Sequence, residues 1–285
     1  MRVLAANIEE VFREAAARWT LIAYFVLSSL FIMVFAAAVN LDVVDGALAG
    51  AKLFGNEIEV DAGVIQMEQI VTGFETAFSG VIYVIGIFLA IFATSHLVPR
   101  LQDKGTVDLY LSRPVGRVRM LLSRYVAGLL LSAANVIYLI GAIWLIVIWK
   151  THVVHLRFLL SGAIIMFSIA VLLAFAFVVG VVTSSTAVSI MSAYAVFFLS
   201  IVLAAHEQIA AALSTQWKAD LINGMYWIFP KLFELQQATI VAVSGGEHVP
   251  EQLAEAVSLS TFSTSAMFGF ACLAIACWLF QRKEF

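Results

Sequence analysis

Long apolar runs alternate with short polar stretches along this chain, and the lengths of the runs set the architecture. Six of them, at 19–39, 78–98, 121–149, 158–182, 187–205 and 263–280, approach or exceed the roughly 20 residues a helix needs to cross the hydrocarbon core of a bilayer. The pattern predicts an all-α polytopic membrane protein with six transmembrane helices, one transmembrane domain over 1–285. Ahead of the first run, Leu4, Ile8, Val11, Phe12 and Ala15 share a helical face, with Glu9, Glu10, Arg13 and Glu14 largely off it. That spacing predicts an amphipathic helix over 1–18 lying along the membrane surface. Ala36 and Ala38 offer a signal-peptidase-like site, but the apolar run before them is too long for a signal peptide and more spans follow, so it is expected to stay uncleaved.

The polar stretches differ from one another. Residues 40–75 are acidic, with Asp42, Asp45, Glu57, Glu59, Asp61, Glu68 and Glu75 set against Lys52. Within them, Ile65, Ile70, Val71 and Phe74 have helical spacing. Glu75 stands where the second span is expected to begin, either hydrated at the interface or facing substrate at the outer mouth. The link at 150–157 carries His152 and His155 three residues apart, which permits metal ligation, but no Asp, Glu or Cys lies near them in sequence and no metal is expected. Between the fourth and fifth spans, the turn TSST at 183–186 is too short to hold a domain. Ala170 with Ala174, and Ala176 with Gly180, are small-residue pairs that allow close helix approach.

The segment 206–262 is expected outside the membrane. Its stretch GMYWIFPKLFELQQATIVAV is too apolar for a solvated loop and is interrupted by Pro230. Tyr226, Trp227 and Phe229 suit a belt at headgroup level or the mouth of a substrate path. Gly245 and Gly246 then break the chain, and Pro250 opens a short acidic helix with Glu251 and Glu255. Mid-span in the third run, Asn135 and Tyr138 lie on one face, suited either to a neighbouring helix or to a cavity.

Composition agrees with the patterning. The chain is 62% hydrophobic and 12% charged, with a mean hydropathy of +1.00, far from the half-apolar, quarter-charged balance of soluble domains. Its two cysteines, Cys272 and Cys277, fall on different faces of the last run, so neither a disulfide nor a metal pair is expected.

The basic residues are unevenly placed. Arg100, Lys104, Arg113, Arg117, Arg119 and Arg124 crowd into 99–124, six of the sixteen in the chain, which marks the loop at 99–120 and the adjoining start of the third span as cytoplasmic. With both termini on the same side, the cytoplasmic pieces hold eleven basic and six acidic residues, net +5; the outer pieces hold five and thirteen, net −8, giving the chain its −3. The positive-inside tendency therefore favours this orientation, in the plasma (inner) membrane. Inside the loop, Thr106 can cap a short helix bearing Val107, Leu109, Tyr110 and Leu111. Asp108 sits near its N-terminus and Pro114 comes just past its end. A loop that only joins two spans needs no such helix.

The string DKGTVDLYLSRPVGR, followed by LLSRYVAGLLL, resembles the loop after the second span in permease subunits of ABC type-2 transporters. In that family an acidic-basic-Gly-Thr start leads through a Leu-rich helix to an Arg-Pro and a basic run. Asp103, Lys104, Gly105, Thr106, Leu109, Leu111, Arg113, Pro114 and Arg117 match the pattern. The chain departs from it at Gln102 or Asp103, where a Glu is frequent, and at Ser123 and Arg124, where Gly-Lys is frequent. The aromatic segment around Pro230 resembles the half-inserted external helices between the last two spans, and the ending QRKEF resembles common endings in the family.

The resemblance implies a coupling helix that docks into a separate ATP-binding subunit. Asp103, Lys104, Gly105, Thr106, Val107, Asp108, Leu109, Tyr110, Leu111, Arg113, Pro114, Arg117 and Arg119 would form the docking surface. It further implies two ATP-binding subunits, a second permease copy forming a homodimer, and export of a hydrophobic or amphipathic substrate. ATP and Mg would belong to the partner, with no cofactor and no catalytic residue in this chain. A maturation-type permease that transmits force without moving a conventional substrate is the alternative.

The motifs that are missing point the same way. No Gly-x-x-x-x-Gly-Lys-Ser/Thr loop, His-Glu-x-x-His, Gly-x-Ser-x-Gly or Cys-x-x-Cys occurs, so nothing here cradles nucleotide phosphates or carries a hydrolase's catalytic set. Glu9-Glu10 with Arg13 resembles the Glu-Glu-x-x-x-Arg motif of membrane-embedded CAAX-type proteases. It is one residue short and lies ahead of the first span, so a solvated helix face is expected there and a membrane-embedded hydrolase is a remote alternative. Nucleic acid is not expected as a partner.

Overall fold

The computed structural model describes residues 19–44, 47–53, 56–58, 67–102, 116–212, 216–245 and 258–283; of 19–20, 38–44, 47–53, 56–58 and 67–70 it describes the backbone path alone. The expected surface helix at 1–18 and the expected helix opened by Pro250 lie outside the described residues.

Six long helices form the body: α1 (Trp19–Ala38), α2 (Met67–Thr94), α3 (Arg117–Thr151), α4 (Leu160–Thr183), α5 (Thr186–Ala204) and, last in the chain, α9 (Leu259–Arg282). Three shorter ones, α6 (His206–Ala212), α7 (Gln216–Ile228) and α8 (Leu232–Ser244), lie between α5 and α9. Among the described residues, five helical stretches are long and apolar enough to cross a membrane, and the shorter apolar Leu21–Ala37 belongs to α1. The protein is therefore a polytopic, predominantly helical membrane protein.

Two departures from the expected pattern bear on the functional site. The acidic stretch after α1 is not featureless: Val39–Val44, Ala47–Leu53 and Asn56–Ile58 (β1, β2 and β3) pair antiparallel in the order β1-β2-β3. The all-α expectation describes the membrane body and misses this small sheet. In addition, α2 begins at Met67 rather than near Phe78, so Glu75 lies within the helix instead of at its mouth.

At the centre stands α4, which touches α2, α3, α5, α8 and α9. Its sequence is apolar all round, as a helix enclosed by neighbours must be. Lipid is as apolar as Leu, so packing and interhelical hydrogen bonds must hold these contacts instead of water exclusion. Both means are visible. Gly269 of α9 brings the helices close enough that a Cβ there would stand 3.3 Å from Val171 Cα. The buried Tyr83 hydroxyl of α2 donates to Leu232 O of α8 at 2.8 Å and lies 2.8 Å from Ser168 Oγ of α4. One side chain thus links three helices.

The helix ends explain the turns. Ser184 adopts φ 54° at the C-terminus of α4 and donates its N–H to Gly180 O at 3.0 Å, a left-handed stop. Ser185 Oγ then accepts from Val188 N at 3.4 Å to start α5, so the chain reverses in two residues. At the end of α7, Pro230 cannot continue a helix, and α8 restarts at Leu232. It buries Leu232, Leu235, Ala238, Thr239 and Val243 against α2, α4 and α5. This is the apolar stretch that the sequence marked as unfit for solvent. Cys272 is buried and Cys277 half-buried, and both are unbridged.

Candidate functional site

Polar side chains gather at the two ends of the helical body. One end carries the loop between α2 and α3; the opposite end carries α6, α7 and α8.

At the loop end, Asp103, Lys104, Gly105, Thr106, Val107, Asp108, Leu109, Tyr110, Leu111, Arg113 and Pro114 lie outside the described residues. The roots of the loop are described. On the α2 side the chain leaves the body through two tight turns, Ser95–Leu97 and Pro99–Gln102, with Leu97, Val98 and Leu101 fully buried. Gln102 Nε2 donates to Gly180 O at 2.8 Å, and Gln102 Oε1 accepts from Ser184 Oγ at 2.6 Å. The Lys283 ammonium donates to the same Gln102 oxygen, to Val181 O at 2.6 Å and to Ser184 Oγ at 2.9 Å.

On the α3 side, Arg117 Nη1 donates to Lys283 O at 2.8 Å and to Gln281 O at 3.2 Å. The end of α9 therefore holds both roots of the loop, one through a side chain and one through its carbonyls. Desolvation holds the Lys283 pKa below the usual lysine value. Arg119 is exposed, whereas Arg124 is 5% exposed and sits within the packed body.

At the opposite end, the Glu75 carboxylate meets the His155 ring through Oε2 and Nδ1. Glu75 is 2% exposed, and its Oε1 has no hydrogen-bond partner. It lines a crevice with Phe35, Val71, Phe74, Lys150 and Thr151, where Lys150 Nζ donates to Ala36 O at 2.7 Å. The two histidines of the link are separated by this arrangement: His155 turns inward to Glu75, whereas His152 is exposed at the C-terminus of α3. Among the described residues no group of three His, Cys, Asp or Glu side chains could hold a metal.

A second polar cluster forms where α7 turns into α8. Glu234 accepts from the Tyr226 hydroxyl through Oε1 and from Thr261 Oγ1 through Oε2, both at 2.6 Å. The His206 ring stacks on Tyr226 at 3.7 Å, and Lys231 Nζ lies 4.0 Å over the Tyr226 ring and 4.7 Å over that of Trp227. Burial, with the Glu234 charge, raises the Tyr226 pKa well above the phenol range. Burial lowers that of Lys231, and Glu234 offsets part of the effect. Tyr226 and Trp227 are thus engaged with a cation, a role that their reading as belt residues did not anticipate.

Asn135 and Tyr138 both meet α1. Ser28 Oγ donates to Asn135 Oδ1 at 2.9 Å, and Ser29 Oγ pairs with the Tyr138 hydroxyl at 2.8 Å. Asn135 Nδ2 is buried without a partner. Sequence reasoning missed Gln102, Ser184, Lys231, Glu234 and Lys283. Each draws its role from residues far along the chain, and only Lys283 carried a signal, as part of a terminal basic pair.

A sequence model of the family described as ABC-2 family transporter protein matches residues 11–285. No curated protein matches this chain at the level of sequence. The match spans nearly the whole chain, and the chain belongs to the ABC-2 transporter family. Membership implies a membrane-embedded subunit that works with an ATP-binding partner and typically has no nucleotide site of its own.

Proposed function

We propose that this ABC-2 family member is the permease subunit of an exporter for a hydrophobic or amphipathic substrate, driven by two separate ATP-binding subunits through the loop 103–119. In this reading α1 is the sixth span. Both termini and the loop face the cytoplasm, and two copies of the chain enclose the pathway in the plasma membrane.

The observation that carries the reading is the double anchorage of the loop roots. Gln102 and Arg117 are both fastened to the end of α9, and Gln102 also to the α4–α5 turn. A docked ATPase that moves the loop therefore pulls on α2, α3, α4 and α9 together rather than on a slack connector. Hydrogen bonds to charged groups contribute about 1.5–3 kcal/mol when buried and less where solvent screens them. The shared attachment, more than any single bond, makes the anchorage stiff. Val107, Leu109, Tyr110 and Leu111 supply the apolar plug, and Arg113, Arg117 and Arg119 supply charge for carboxylates or lipid phosphates.

Tyr110→Asp tests this directly. A carboxylate in the apolar plug abolishes co-purification with the ATP-binding subunit while the permease itself stays folded. Unchanged co-purification and unchanged ATP-dependent activity would refute the docking assignment.

A further inference from the structure

Lys231 is placed by its backbone and left unmatched at its tip. It follows Pro230 at the break between α7 and α8, and its N–H donates to Ser265 Oγ of α9 at 3.0 Å. The residue is 5% exposed. Its ammonium carries three donors and faces two aromatic rings, which attract the charge but provide no lone pair in the plane of a normal acceptor. Both oxygens of the neighbouring Glu234 already accept from hydroxyls. Among the described residues, no acceptor stands within hydrogen-bond distance of Lys231 Nζ.

The side chain is largely enclosed while its ammonium opens on a crevice, so oxygens brought to it there would replace the water it has lost. The crevice is lined by Ser200 and Leu203 of α5 with Tyr226, Phe229, Pro230 and Glu234. The two helices that contribute to its lining also carry exposed apolar side chains, Phe198 and Val202 on α5 and Trp227 and Ile228 on α7. A headgroup there would find a cation, and attached hydrocarbon would find an apolar surface.

We infer that Lys231 anchors a binding site for the phosphate or carboxylate headgroup of an anionic amphiphile, which enters between α5 and α7 with its chains along their apolar faces. The inference deepens the export reading by naming a cargo class and rests on it for that step alone; headgroup binding is measured without any ATPase.

The test is native mass spectrometry of the purified full-length chain incubated with phosphatidylglycerol or phosphatidylcholine, with inorganic phosphate as competitor. The expected result is retention of phosphatidylglycerol over phosphatidylcholine, reduced about tenfold in Lys231→Met, the loss of one charge-assisted hydrogen bond, and largely restored in Lys231→Arg. Competition by inorganic phosphate would identify the ionic headgroup as sufficient, and its absence would show that the chains are needed too; either outcome supports the site. Equal retention by wild type and Lys231→Met, or no preference between the two lipids, overturns it. Should Lys231→Met fail to fold, Ser200→Met narrows the crevice with the charge in place. Undiminished phosphatidylglycerol binding by that variant overturns the inference equally. Co-purification of the ATP-binding subunit is scored separately, so loss of lipid binding and loss of ATPase docking cannot be confused.

Discussion

The two ends of the helical body solve opposite problems with polar side chains. At the loop end, Lys283, Gln102 and Arg117 each donate to backbone carbonyls of neighbouring elements, with Ser184 tied to the Gln102 side chain, and several of these groups reach solvent. At the opposite end, Glu75 and Lys231 are buried and Glu234 half-buried, and each meets side chains: Glu75 the His155 ring, Glu234 two hydroxyls, Lys231 two aromatic rings. Ties to carbonyls fix the position of a segment whatever its side chains do. Buried charges are poor fasteners, because desolvation offsets much of their attraction, but they bind ligands well. On the proposed reading, one end transmits position and the other discriminates chemistry.

The largest effect is expected where a buried charge loses its partner. His155→Ala leaves Glu75 uncompensated and destabilises the protein by about 3–5 kcal/mol, read as a lowered midpoint of thermal unfolding in detergent. Replacing both residues, Glu75→Leu with His155→Leu, restores most of that loss, because an apolar pair in place of a buried ion pair is often neutral. A double variant as unstable as the single one would show that the pair fastens rather than discriminates.

Thr261→Val removes one donor from Glu234, with an expected cost of about 1–3 kcal/mol. Tyr226→Phe removes the other at similar cost and leaves the ring beneath Lys231.

Lys283→Ala has the smallest effect on stability, about 1 kcal/mol or less once solvent screening is counted. Its signature is functional: the ATP-binding subunit still co-purifies, but stimulation of ATP hydrolysis by the permease falls. A variant with normal stimulation would remove the tie from the coupling route.

Much of the helical body was legible in the apolar runs, since run length and the bilayer leave few alternatives. The start of α2 was not. Glu75 reads as a boundary because a carboxylate in hydrocarbon is costly, and the residue that makes its burial tolerable, His155, stands 80 positions later. The strands at 39–58 were obscured in a similar way: Val39, Leu41 and Val43 alternate with a polar or acidic residue, but the acidic character of the whole stretch reads as open loop. The loop at 99–120 was conspicuous in the sequence for its arginines and its motif. The anchorage of its roots was not, because Gln102, Ser184 and Lys283 are unremarkable singly and meaningful only once the α4–α5 turn and the end of α9 stand side by side. Lys231 was counted as one of five outer basic residues, and nothing local distinguished it from Lys218.

The most direct test of the account is cross-linking from the loop itself. With Tyr110→Cys as the single reactive position, in a chain whose Cys272 and Cys277 are changed to Ala, a short bifunctional reagent should join the permease to its ATP-binding subunit, and the same cysteine should be modified only from the cytoplasmic face. Modification from the outer face, or a complex that hydrolyses ATP normally while Tyr110→Cys never cross-links to the ATPase, would contradict it.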